Sequence, residues 1–174
     1  MSMFGASYLK GVFTPKHPEK CLNLNGKFPT THKTITFRSS YELIFANFCD
    51  LEENVIEWGS EIIEIPYILS EDAKPHKYVT DFMLTVKTRS GEIEKWLIEV
   101  KPSTQVPKLD ECGQIIFPQL KQGKKLTQKK IDNWQEMCNT LRKNKEKWDQ
   151  AKRWAKQHGY VFKVITEQEL GLNK

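Results

Sequence analysis

Long apolar runs are missing from this 174-residue chain, and no apolar segment follows its N-terminus as a signal peptide would require. A membrane span is therefore not expected, and the expected location is cytoplasmic. Cysteine is scarce as well: Cys21, Cys49, Cys112 and Cys138 stand far apart, with no CxxC or Cys/His spacing. That pattern argues against a zinc site or a disulfide scaffold and for reduced thiols, with Cys49 and Cys138 packed on helix faces. The four histidines, His17, His32, His76 and His158, form no triad with a serine or cysteine, so hydrolysis through such a nucleophile has no visible machinery. No internal repeat or low-complexity tract is evident.

The chain does have an ordinary globular composition, 39% hydrophobic and 28% charged, with an uneven distribution of its net charge of +5. Residues 1–40 carry six Lys/Arg against one acid, residues 41–111 seven against fifteen, and residues 121–163 thirteen against four. A lysine-rich run is commonly a solvated helix face. Flanking an acidic centre on both sides, it also suits the backbone of a nucleic acid, with Arg38, Lys124, Lys125, Lys129 and Lys130 as candidate phosphate contacts.

The acidic centre contains the most informative pattern. Tyr78-Val79-Thr80-Asp81-Phe82 is followed eighteen residues on by Trp96-Leu97-Ile98-Glu99-Val100-Lys101, both strand-like, with turn-forming Arg89-Ser90-Gly91 between them. Strand alternation puts Glu99 and Lys101 on one face and turns Val100 into the core, leaving its carbonyl as a candidate oxygen ligand. If the strands pair with Asp81 opposite Glu99, two hard oxygen ligands converge, which suits Mg²⁺ or Mn²⁺ better than zinc. Such an ion activates water and polarises a phosphoryl group, while Lys101 orients the water or stabilises developing charge. Glu-x-Lys alone is also the pattern of a solvated cross-strand ion pair. Here it ends a run apolar almost throughout, closed by Pro102, and charge at the end of a buried strand calls for a reason.

A third acid stands on a helix. In Tyr41–Cys49 the residues Tyr41, Ile44, Phe45 and Phe48 share one face, with Glu42 beside it. Ser39-Ser40-Tyr41-Glu42 is a capping box in which Glu42 returns to the Ser39 amide, so Glu42 is a cap, a metal-edge acid, or both.

The order of an acid on the first helix, Asp81, Glu99-Val100-Lys101, a basic helix and a last strand resembles the PD-(D/E)XK nuclease superfamily. Arg38–Glu42, Trp58, Ile65-Pro66-Tyr67, Tyr78–Phe82, Ile98–Pro102 and Val164–Glu167 are similar to the TnsA-like endonuclease subunit of heteromeric cut-and-paste transposases. They are still more similar to the head-completion nucleases of large contractile-tailed bacteriophages, as are Ser7–Gly11 and Pro15–Lys20. The resemblance implies an α/β fold with a restriction-endonuclease-like core, in which a mixed central sheet is flanked by helices behind an irregular N-terminal arm. It implies Glu42, Asp81, Glu99 and the Val100 carbonyl around the metal and Lys101 as catalytic lysine. It further implies DNA as substrate and a phage portal or other head protein as partner, in a host cytoplasm. Two departures stand out: Thr80 occupies the position of the superfamily's proline, and residues 103–125 match no family element.

The expected organisation is one nuclease domain over 1–174: a basic arm at 1–38, helix and strands carrying the site at 39–102, a flap or partner loop at 103–125, and a basic helix and last strand at 126–174. Within it, Val55 to Ile68 reads as a strand with a bulge or bend at Gly59, Ser70 to Lys77 as a polar loop, and His76–Lys87 and Ile93–Lys101 as strands. Thr127 caps a helix running towards His158, its buried stripe being Ile131, Trp134, Cys138 and Leu141, with a bend at Asn144 and a stop at Gly159. Tyr160–Thr166 is the last strand, parallel to an earlier one by analogy. Trp134, Trp148 and Trp154 read as packing residues, not as base-stacking platforms. The expected function is metal-dependent DNA hydrolysis at ends or on a packaged genome during head completion. The alternatives are a transposase-type endonuclease subunit and a non-catalytic virion protein that binds DNA and portal.

Overall fold

A computed structural model of the chain describes residues 9–120 and 126–172. Its centre is a four-stranded mixed sheet with two helices, one packed on each face. The strands involved are β3 (Val55–Ser60), β6 (Phe82–Lys87), β7 (Ile93–Val100) and β8 (Val161–Ile165), in that spatial order. β3, β6 and β7 are antiparallel neighbours, whereas β8 lies parallel to β7, pairing Glu99 with Val164. Parallel pairing needs a long crossover. Helix α2 (Gln128–Gln157) supplies most of it.

Ahead of the sheet, β1 (Gly11–Phe13) pairs with β2 (Ile35–Phe37), and helix α1 (Ser40–Leu51) follows. The segment between β1 and β2 is largely irregular but firmly seated. Cys21 bridges to Trp58 on the outer edge of β3, and buried Asn23 bonds the Ser60 backbone through both N–H and C=O. Asp50, buried on α1, accepts the amides of Lys16 and His17.

Two apolar clusters divide the sheet. On the α1 face, Tyr41, Phe45 and Cys49 pack on Trp58, Phe82, Leu84, Ile98 and Val100. On the α2 face, Trp148, Ala151 and Ala155 pack on Met83, Leu97 and Phe162. Each fully buried Leu, Ile, Val, Phe or Met side chain among them contributes about 1.5–3 kcal/mol. Strand alternation makes β7 serve both: Ile98 and Val100 face α1, Leu97 and Glu99 face α2.

Several expected boundaries move. Val55–Ile68 is two strands, because the ribbon bends at Glu61, whose φ is 53°. Beyond the bend, β4 (Glu64–Leu69) pairs with β5 (Lys74–Val79) as a separate hairpin, so the expected polar loop at 70–77 shrinks to a turn. Register runs from Ser60↔Phe82 to Glu64↔Val79, three residues against two, so the extra residue of the bend lies at 61–63 instead of at Gly59. Gly59 has another use: a Cβ there would meet Ile62 Cδ1 at 2.4 Å, so glycine lets Ile62 fold back into the bend. At Thr80 the amide donates to Ile63 O at 3.1 Å, a bond proline could not make.

The helices differ in detail too. Phe48 is 45% exposed and the α1 stripe turns through Ala46 and Cys49 instead. Helix α2 runs unbroken through Asn144, which is buried and donates to Gln105 O at 2.9 Å, fastening the segment after β7 to the helix. Ile131 and Trp134 are only half-buried, and the stripe continues through Trp148, Ala151 and Ala155. Gly159, φ 75°, closes the helix as expected, with the Tyr160 amide returning to Ala155 O. The cysteines are free thiols, Cys49 and Cys138 buried on their helices. Among the described residues no helix is long and apolar enough to cross a membrane.

Candidate active site

Register decides the site. Phe82 pairs with Ile98, so Asp81, one residue earlier at the bend of the ribbon, is set opposite Glu99. The bend matters because a regular strand would have continued past Asp81 with its polar edge paired. Here β5 leaves the sheet, and the Asp81 carboxylate caps the end of β7, with Val100 N donating to its Oδ2 at 2.7 Å.

Lys101 stands between the two acids, its Nζ 3.3 Å from Glu99 Oε1 and 4.0 Å from Asp81 Oδ2. Glu99 is 1% exposed. Its Oε2 accepts from the Tyr78 hydroxyl, and Oε1 also receives Lys147 Nζ, from α2, at 3.1 Å. Asp81, Glu99 and Lys101 are thus brought together as the spacing implied. Tyr78 and Lys147 carried no role in the sequence reading. Tyr78 lies three residues before Asp81 in the same strand-like run, and the signal for Lys147 is its place beside the apolar stripe of α2, three residues after Asn144 and next to Trp148.

Glu42 approaches from the opposite face of the sheet, at the first turn of α1. Its Oε2 accepts from the Arg38 amide at 2.7 Å and its Oε1 from Ser39 Oγ at 3.0 Å, while Ser39 Oγ receives the Glu42 amide. The cap is therefore real, although Glu42 returns to Arg38 N instead of to the Ser39 amide. Its charge still bears on the site, raising the proton affinity of both Asp81 and Lys101. Arg38 is exposed and ion-paired with Glu61 at the same bend. Lys129 and Lys130 are exposed in the first turn of α2, about 25 Å along the helix from Lys147 at 1.5 Å per residue. Lys124 and Lys125 lie outside the described residues.

The electrostatics are those of crowded acids. Burial, then the Glu99 charge, pushes the Asp81 carboxyl up to about 7, against the lowering effects of Lys101 and the Val100 amide. Burial disfavours charge on Lys101, but Asp81 and Glu99 outweigh it, and its ammonium is held more tightly than usual. Burial and Glu99 together keep the Tyr78 phenol far above its ordinary value, so it remains a donor.

A divalent cation fits this donor set. Two carboxylates, one of them raised to about 7 by burial and by the charge of the other, form a hard-oxygen pair, while the Glu42 carboxylate is engaged in the cap of α1. Among the described residues no three acidic, His or Cys side chains form a ready-made cage. The ion would then be held by two side chains together with backbone oxygen and water, as suits Mg²⁺.

Two comparisons bear on this arrangement. Residues 52–167 match the family model described as the TnsA-like endonuclease N-terminal domain, which spans the bend, both acids, Lys101 and Lys147. Over 144 residues the chain is 30% identical to the head completion nuclease of Enterobacteria phage T4, covering 83% of this chain and 86% of that protein.

Proposed function

The chain belongs to the TnsA-like endonuclease family, and from that premise we propose that it is a divalent-metal-dependent DNA endonuclease acting during phage head completion. The observation that carries this reading is the convergence of Asp81, Glu99 and Lys101 at the bend of the β3–β6 ribbon. Coverage of most of both chains by the phage relative favours a role in head completion over one in transposition. Work on DNA ends or a packaged genome, with portal or other head proteins as partners, is part of the same proposal. The family match keeps a transposase-type endonuclease subunit as the second reading.

In the proposed mechanism Asp81 and Glu99 would hold Mg²⁺ or Mn²⁺, with the Val100 carbonyl as a further oxygen ligand and Glu42 as an outer acid. When bound, the ion lowers the pKa of a water and screens phosphoryl charge. Lys101, fixed between the acids, orients the attacking water and faces the charge that develops on the phosphoryl oxygens. Arg38, Lys124, Lys125, Lys129 and Lys130 hold the DNA backbone, a sequence-independent attraction that weakens with salt.

The test is cleavage of supercoiled and linear DNA with Mg²⁺ or Mn²⁺ by wild type and by folded Asp81→Ala, Glu99→Ala and Lys101→Ala variants. Metal-dependent cutting lost in all three supports the proposal, and the nicked, linear or trimmed products report how it cuts. Cutting that survives in the variants refutes the site. No cutting by wild type, alone or with head proteins, would leave a DNA- or portal-binding assembly protein.

A further inference from the structure

Helix α2 carries many lysines, and their contacts divide them. Lys143 reaches outward to Glu71 on the turn of the β4–β5 hairpin, and Lys145 pairs with Asp149 along the helix. Lys147 turns instead towards the sheet, where its Nζ meets Glu99 Oε1 at 3.1 Å, sits 4.3 Å from the centre of the Tyr78 ring and 5.9 Å from that of Trp148. An ammonium over two aromatic faces and against one carboxylate is held in place on three sides.

We propose that Lys147 is a positioning residue of the nuclease site. From α2 it fixes the Glu99 carboxylate and supplies its countercharge before a divalent ion is bound, leaving Lys101 to face the reacting groups. The inference rests on the proposed nuclease reading. Three observations carry it. Glu99 is almost wholly removed from water, and a buried carboxylate requires paired charge and full hydrogen bonding. Its two oxygens are taken up from two different elements, Oε2 by Tyr78 of β5 and Oε1 by Lys147 of α2, which sets the orientation of the carboxylate plane. Finally, Lys101 is shared between Asp81 and Glu99, so without Lys147 two acids would have one lysine, drawing Lys101 fully into ion pairing. Groups that orient ligand side chains in this way typically cost 10–100-fold in function when removed.

Lys147→Met, Lys147→Arg and Tyr78→Phe test this by two readouts. The first needs no DNA: melting temperature is measured metal-free and across a Mn²⁺ titration. Lys147→Met is expected to melt lower than wild type without metal and to gain more from Mn²⁺, because the ion replaces the missing positive charge beside Glu99. A merely structural loss would persist at saturating metal. The second is single-turnover DNA cleavage at saturating Mn²⁺. Lys147→Met and Tyr78→Phe are each expected to fall about 10–100-fold in rate with the DNA concentration dependence unchanged within about twofold, and Lys147→Arg to recover a large part. A Lys147→Met rate within twofold of wild type would overturn the inference, as would a defect confined to DNA affinity. Metal-induced stabilisation and cutting absent from wild type would instead remove the nuclease site and the inference with it. A Lys147→Met protein that fails to fold leaves the decision to Lys147→Gln and Tyr78→Phe, which remove the charged donor and the hydroxyl donor to Glu99, and unchanged rates in both would be equally fatal.

Discussion

The two faces of the central sheet are built from the same strands and carry different loads. On the α1 face Ile98 and Val100 meet Leu84, Phe82 and Phe45 in unbroken apolar packing, whereas on the α2 face the row from Met83 and Leu97 ends in Glu99, Lys147 and Tyr78. One residue of β7 separates the two kinds of environment. A strand therefore anchors a reactive carboxylate rigidly by burying its neighbours on the opposite side, and the burden of charge falls on one end of one face.

Neighbouring substitutions should separate these loads. Asp81→Asn is expected to show the largest effect, a loss of DNA cleavage of at least about 100-fold, comparable to removal of a principal electrostatic group. Its side-chain carbonyl can still accept from Val100 N, so the metal-free protein should melt no lower than wild type at pH 8. A marked fall in melting temperature would mean that Asp81 is structural. On the opposite face, Ile98→Ala should cost about 3 kcal/mol in denaturant unfolding. Cleavage per folded molecule should stay within a few-fold, and a 100-fold loss there would erase the distinction between the faces.

Titration sharpens the comparison. Because Asp81 is raised to about 7 in the folded protein, its protonated form favours the fold. The stability it contributes is present below the ordinary carboxylate pKa and is lost as pH rises through about 7. Metal-free wild type should therefore lose stability relative to Asp81→Asn over that window, and affinity for Mg²⁺ should rise by up to about tenfold per pH unit below about 7 as the proton is displaced. Parallel stability curves for the two proteins across pH 4–8 would contradict this. The smallest effect is expected at Asn144→Ala, about 1 kcal/mol from the lost bond to Gln105 O, with greater protease sensitivity at 103–120 as its signature.

Legibility in the sequence followed the range of the forces involved. Asp81, Glu99 and Lys101 were readable because alternation along β7 and a hairpin turn at Arg89-Ser90-Gly91 are local properties. The capping of α1 at Ser39 and the stop at Gly159 were readable for the same reason. The single strand expected over Val55–Ile68 was wrong because the bend at Glu61 depends on a residue count matched across the ribbon, three against two, that neither strand reveals alone. Asn144 looked like a helix defect and is a fastening point, since its partner Gln105 lies 39 residues away.

Local periodicity and spacing, which act within a few residues, determined the strand that carries Glu99 and Lys101, the helix that carries Glu42, and the segregation of acidic centre from basic flanks. Only the packed structure decided which helix faces Glu99, that Tyr78 and Lys147 close around it, and that Asp81 stands, partly buried, at a bend instead of within a continuous strand. The reason is physical: burial, charge pairing and register are settled between residues distant in the chain, and their free energy exists only once those residues share one interior.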